Sequence, residues 1–162
     1  MSETATATAA PRLLDRRELA AWRGLVRTHA LLEREFEAEL IRDHGLQLTA
    51  YEVLMHLVDA QDGRLRLSDL ATLAVLSRSG LTRLIDRLER EGLVVRERCP
   101  SDARGYFAVI TDKGREQVTA ARRDYLDNVR RHFLDLVGPE EQEQLGAIWT
   151  RILQALEPGL KP

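Results

Sequence analysis

The stretch "LSRSGLTRLIDRLEREGLVVRERCPSDARGYFAVIT", Leu76–Thr111, changes its periodicity halfway along. In its first half Leu81, Leu84, Ile85 and Leu88 recur at three- and four-residue spacing, which predicts a helix over 78–91 with those side chains facing a core. Ser77 stands where a side-chain N-cap belongs, and Gly92 where the helix must stop. Beyond it, Leu93–Arg98 and Tyr106–Ile110 are rich in Val, Ile, Tyr and Phe and predict the two strands of a hairpin. The seven residues between them, "CPSDARG", exceed a tight turn and are expected to protrude.

The outward side of the predicted helix carries Ser79, Arg83, Asp86 and Arg90, flanked by Thr82 and Arg87. Hydroxyls and helix N-terminal N–H groups bind phosphate, and Arg pairs bidentately with guanine in a major groove. Charged helix surfaces are ordinary, and Asp86 with Arg90 is a common i,i+4 pair, so the helix alone does not decide the function. The hairpin adds to it. Its loop holds one long cation, Arg104, suited to a narrow minor groove, and Asp102, which is expected to orient Arg104 through a charge-assisted hydrogen bond. The bland alternative is a solvated Asp102–Arg104 pair of small energetic value.

Working outward, Leu19, Trp22, Leu25, Val26, Leu32, Phe36 and Leu40 predict a long helix from 15 to about 43, stopped at Gly45. Thr49 and Glu52 have capping-box spacing and are expected to open a second helix, with Val53, Leu54, Leu57 and Val58 inward. Asp62-Gly63 marks a turn, "RLRL" reads as a small strand, and Ser68 is the expected cap of a short third helix. A tight connection at Val75-Leu76 then leads to Ser77, which makes helix, turn and second helix. Thr111 or Asp112 opens a fifth helix expected to reach about Leu136, with Val118, Tyr125, Leu126, Val129 and Phe133 as its stripe. Gly138-Pro139 resets the chain before a final helix carrying Leu145, Ile148, Trp149, Ile152 and Leu156. Long apolar stripes at both ends of a small chain predict an intertwined helical homodimer.

With 162 residues, 44% hydrophobic and 31% charged, the chain has the composition of a globular protein, and no apolar run is long enough to span a bilayer. "MSETATATAAP" has neither a basic nor an apolar signal region and reads as a frayed tail. A single cysteine, Cys99, suggests a reducing compartment, hence the cytoplasm. The net charge is −2, but residues 64–104 hold nine Arg against six Asp or Glu, while the remainder holds fifteen basic against twenty acidic residues. A basic centre in an acidic frame suggests one anion-facing surface.

The segment "LSDLATLAVLSRSGLTRLIDRLEREGLVVRERCPSDARGYFAVITDKGRE", residues 67–116, closely resembles the winged helix-turn-helix of MarR-type regulators. The D-x-R of the loop, followed by a strand and "ITDKG", is its most specific part. The resemblance extends over about 20–155 with the flanking helices. It implies a mainly α fold with a small β-hairpin (α+β): a frayed tail at 1–12, dimerisation helices at 13–46 and 112–162, and a DNA-binding domain at 47–111 between them. It implies a homodimer on a pseudo-palindromic double-stranded operator, with the recognition helix in the major groove and the wing in the minor groove. By position Ser77, Arg78, Ser79, Thr82 and Arg83 match recognition-helix contacts, Arg87 a backbone contact, and Asp102 and Arg104 the wing pair. Cys99 departs from the family, where an acidic residue is common.

Many such regulators are repressors released by a small phenolic or carboxylic compound. Trp22, Val26 and His29 share one face of the first helix and, with Tyr51, could wall such a pocket, although Trp22 suits a core or dimer interface better and His29 is more often an interfacial histidine. Cys99 beside Arg96 and Arg98 is expected to be an exposed loop thiol, and its oxidation is a secondary possibility. An enzyme is not expected, since no phosphate loop, dinucleotide fingerprint, H-E-x-x-H or C-x-x-C is present, and the four histidines lack metal-ligand spacing. No cofactor is expected. The remaining alternative is a winged helix used only for protein contacts, in which Arg83 and Arg104 would have no obvious use.

Overall fold

The computed structural model describes residues 12–99, 102 and 105–156. The chain parts into two units between Arg34 and Glu35, and the first helix, α1 (Arg16–His44), crosses that boundary. In the first unit α1 opens on a reciprocal capping box. The Asp15 N–H donates to Glu18 Oε2 at 2.8 Å, and the Glu18 N–H donates to Asp15 Oδ1 at 2.8 Å. The first unit leaves large apolar side chains uncovered, Trp22 being 58% exposed and Val26 49%.

The second unit holds the rest. Phe36 and Leu40 are buried at the end of α1, and Gly45, at φ 65°, ends the helix. Helix α2 (Leu48–Asp59) buries Leu48, Ala50, Tyr51, Val53, Leu54 and Leu57. Its expected Thr49–Glu52 capping box does not form. The N-cap position falls two residues earlier, at Gln47, and the Leu48 N–H donates to the carboxylate of Glu37, eleven residues upstream. A short turn, Gln61–Gly63, leads into strand β1 (Arg64–Arg66) and helix α3 (Leu67–Leu73). Ser68 does not cap α3 as expected; it lies inside the helix, where its hydroxyl meets Asp69 at 3.0 Å. The turn after α3 holds Val75, β-branched and exposed, at φ 52°, a costly conformation for such a residue.

Helix α4 (Arg78–Arg90) follows, with Leu81, Ile85 and Leu88 buried as its spacing predicts; Leu84 is only half-buried. Strands β2 (Val94–Arg98) and β3 (Tyr106–Ile110) pair antiparallel with Val94 opposite Ile110 and Arg98 opposite Tyr106. β1 pairs on the other edge of β3, so the hairpin becomes a three-stranded sheet in the order β1-β3-β2. Pleating turns Val94, Ala108 and Ile110 to the core and Glu97, Phe107 and Arg66 to the opposite face.

Helix α5 (Asp112–His132) is capped by Thr111, whose Oγ1 accepts from the Gly114 N–H at 3.0 Å and donates to the Gly92 carbonyl at 2.8 Å. It stops at His132, short of the expected Leu136, because Phe133 leaves helical geometry at φ −136° and a separate turn, Leu134–Leu136, follows. Val118 and Ala121 are buried, but Leu126, assigned to the buried stripe, is 51% exposed. Helix α6 (Pro139–Leu156) buries none of its residues, and Leu153 and Leu156 stand open. No helix among the described residues is long and apolar enough to cross a membrane.

Tyr125 of α5 packs against Phe36 (ring centroids 5.4 Å) and Tyr51 (4.5 Å), joining α5 to α2 and the end of α1. Burial, then Tyr125, push the Tyr51 phenol from 10.0 up to about 12. The folded protein thus keeps a proton that the unfolded chain releases. This contribution to stability is complete below pH 10.0 and is lost as pH rises through about 12. Urea midpoints measured across that window should fall, and fall less for Tyr51→Phe; equal declines in both proteins would refute the assignment.

Candidate nucleic-acid interface

The exposed surface of α4 is set by its cap. Ser77 Oγ accepts from the Gly80 N–H at 3.1 Å and lies 3.3 Å from Ser79 Oγ. Thr82 Oγ1 donates to the Arg78 carbonyl at 2.8 Å, which fixes its rotamer on the outer face. Ser77, Arg78, Ser79, Thr82 and Arg83 are all exposed and share the first two turns. Neither Arg78 nor Arg83 meets a carboxylate among the described residues, so each presents an uncompensated charge. Arg87 differs. It is half-buried, donates from Nη1 to Gln47 Oε1, and holds Nε 3.8 Å from Glu91 Oε1. It braces the start of α2 against α4, and with Gln47, Thr49 and Arg83 it lines a hollow beside the helix.

The wing loop leaves the sheet through backbone bonds. The Cys99 N–H donates to the Gly105 carbonyl at 2.9 Å, and the Gly105 N–H to the Asp102 carbonyl at 2.9 Å. Pro100, Ser101, Ala103 and Arg104 lie outside the described residues, so the expected Asp102–Arg104 pair does too. Asp102 has a partner that the sequence did not suggest: its Oδ2 lies 3.7 Å from Arg66 Nη1. Arg66 Nη2 also donates to Cys99 Sγ at 3.1 Å, and the guanidinium sits 5.6 Å from the centre of the Phe107 ring. The expected exposed thiol is corrected: Cys99 is buried, because the hairpin ladder continues through it and pleating turns it toward Arg66. Arg66 was missed because β1 is three residues long, and only its pairing with β3 brings it to the loop.

The residues assigned to a ligand fall in different units. Trp22, Val26 and His29 are exposed on α1 in the first unit, where His29 Nδ1 lies 3.8 Å from Glu33. Tyr51 is buried in the second, lining a hollow with His56, Arg122 and Tyr125.

Helix, tight turn, capped second helix and three-stranded wing recur in known proteins. Two solved structures from Streptomyces coelicolor match nearly the whole chain. Sco3205, a MarR family transcriptional regulator solved in complex with DNA, is 37% identical, with 93% of this chain and 94% of that one covered and a TM-score of 0.88. AbsC, also a MarR family regulator, is 38% identical over 91% of this chain and 99% of that one, with a TM-score of 0.85.

The chain belongs to the MarR family.

A MarR family model matches residues 44–105, from the end of α1 to the wing loop. The HTH-type transcriptional regulator YkoM of Bacillus subtilis is 35% identical over 104 residues, 64% of this chain. The chain spans 66% of YkoM and 60% of the Escherichia coli regulator HosA, a little under two thirds of these curated relatives. The MarR family is one of transcriptional regulators and not of enzymes. Its winged fold carries the chemistry of α4 and the wing described above.

Proposed function

We propose that the protein is a dimeric, sequence-specific DNA-binding repressor that acts in the cytoplasm and is released by a small phenolic or carboxylic effector. The observation that carries this is the exposed first half of α4, where Arg78 and Arg83, with no carboxylate partner among the described residues, stand between Ser77, Ser79 and Thr82. Similarity to Sco3205, itself solved with DNA, supports it. In this reading α4 enters a major groove with Ser77, Arg78, Ser79, Thr82 and Arg83 toward bases and phosphates. Arg87 makes a backbone contact, and the wing carries Arg104, oriented by Asp102, to the adjacent minor groove. The uncovered apolar residues of α1 and α6 support dimerisation, with half-sites about one turn, ~34–36 Å, apart. Trp22, Val26, His29 and Tyr51 are the residues proposed for the effector. Boundaries at 13–46, 47–111 and 112–162 describe the division of labour.

Arg83 tests this directly. In gel shifts and anisotropy titrations, begun with the DNA upstream of the protein's own gene, Arg83→Ala should lose about 1–3 kcal/mol of specific affinity and relax preference at one base position. If Arg83 meets phosphate alone, all sequences should weaken alike. Unaltered affinity on every duplex would leave the protein-contact alternative standing.

A further inference from the structure

We infer that Arg96 is a positioning residue for DNA recognition: it fastens the wing strand to α4 by gripping Asp86 and Glu89, and so cancels two carboxylates beside the DNA-facing surface. The inference rests on the reading of α4 as the helix that enters DNA. Arg96 lies on the core-side face of β2, opposite Ala108. Its Nη2 meets Asp86 Oδ1 at 2.5 Å and its Nη1 meets Glu89 Oε2 at 2.7 Å. The Arg96 N–H donates to Glu89 Oε1 at 3.1 Å, and Nη2 also donates to the Thr82 carbonyl at 3.3 Å. Thr82, Asp86 and Glu89 follow i, i+4, i+7 spacing, so one guanidinium holds three points along one side of α4.

Several features separate this from an ordinary surface pair. The Arg96 side chain is 21% exposed, well shielded beside its partners at 50% and 40%. Neither Asp86 nor Glu89 has another cationic partner among the described residues. Without Arg96 both would be bare carboxylates on the helix that presents Arg83, where phosphate would be repelled. The grip includes the carbonyl of Thr82, itself on the exposed recognition surface, and it sits two residues before the end of β2, at the root of the wing. The planar fork of Arg presents separate N–H groups to the two acids in a fixed geometry, whereas the compact ammonium of Lys is a single point charge on a flexible stem. Helix and wing are thus held at one spacing, as two groups that must straddle a phosphate backbone require.

The test is binding of a duplex carrying the DNA upstream of the gene, measured by anisotropy from about 50 to about 200 mM salt. The proteins are wild type, Arg96→Met, the Asp86→Asn/Glu89→Gln pair, and all three substitutions together. Acting through the acids, Arg96→Met should weaken binding about five- to thirtyfold in the wild-type background, but about twofold or less in the neutralised one. The loss in the wild-type background should shrink as salt rises, because repulsion by the two bare carboxylates is screened. A direct phosphate contact predicts equal losses in both backgrounds, and that result overturns the inference. Arg96→Lys should fall between wild type and Arg96→Met; full retention by Lys would overturn the two-point grip, and Lys carries the test if circular dichroism shows Arg96→Met unfolded. Wild type that binds while Arg96→Met is unchanged sinks this inference alone. Wild type that binds no duplex sinks the DNA reading as well.

Discussion

Raising salt from about 50 to about 200 mM is expected to weaken operator binding by roughly 10³–10⁵-fold, for a dimer making six to ten phosphate contacts. The protein's net charge of −2 gives no long-range pull toward DNA. Attraction must come from local cations, which at 0.1 M salt act over a Debye length of about 10 Å. Arg78 and Arg83, exposed and without carboxylate partners among the described residues, supply four in a dimer, and Arg87 and Arg104 would bring the number to eight in the proposed reading. Arg64 and Arg96 do not, since each faces an acid, Arg64 meeting Glu97 at 3.8 Å. Each arginine that touches phosphate should contribute about 0.9 to the slope of log affinity against log salt, and its replacement by Ala should remove that amount. Anisotropy titrations over a salt series measure the slope. A flat slope with wild type bound would mean that the surface does not grip a nucleic-acid backbone.

Gly114→Ala is expected to destabilise the fold by about 2–3 kcal/mol, the cost of forcing an atom into a closed contact. An added Cβ would meet the Leu93 carbonyl oxygen at 2.3 Å and Ile110 Cγ1 at 2.9 Å. The oxygen cannot swing aside: it accepts from the Thr111 N–H at 3.0 Å, the bond that seats α5 beside the start of β2. The Gly114 N–H is itself held by the Thr111 cap. Either α5 moves outward, exposing Val118, or the wing strand shifts. Urea unfolding of purified protein measures the loss, and a midpoint equal to wild type would show that the contact relaxes freely. This contact also explains the glycine of "ITDKG": the helix must start against a backbone carbonyl.

Local patterns were readable at the α4 stripe and at the Ser77 and Thr111 caps, where the partner lay within one turn. The stripe of Leu81, Leu84, Ile85 and Leu88 placed α4, with only Leu84 less buried than its spacing implied. Ser77 and Thr111 cap because a hydroxyl reaches an N–H three residues ahead, and Gly45 and Gly92 stop helices at φ 65° and 73°, where a Cβ is disfavoured. The same chemistry misled at Thr49–Glu52. Capping-box spacing was present, but a carboxylate from α1 took the N–H of Leu48 first, while the real box formed at Asp15–Glu18.

What the sequence determined by itself was therefore the order of helices and strands, the caps at Ser77 and Thr111, the stops at Gly45 and Gly92, and the residue types on the outer face of α4. These follow from 3.6- and 2-residue periods and from bonds that span three or four residues. The tertiary structure decided which charges remain free. Arg66 reaches Asp102 and Cys99 across more than thirty residues only because β1 pairs with β3. Arg96 silences Asp86 and Glu89 only because β2 folds back on α4. Arginines look alike in a sequence. Whether each one meets a carboxylate or stands open to an anion depends on which strands and helices come together, and that distance in space has no counterpart in local spacing.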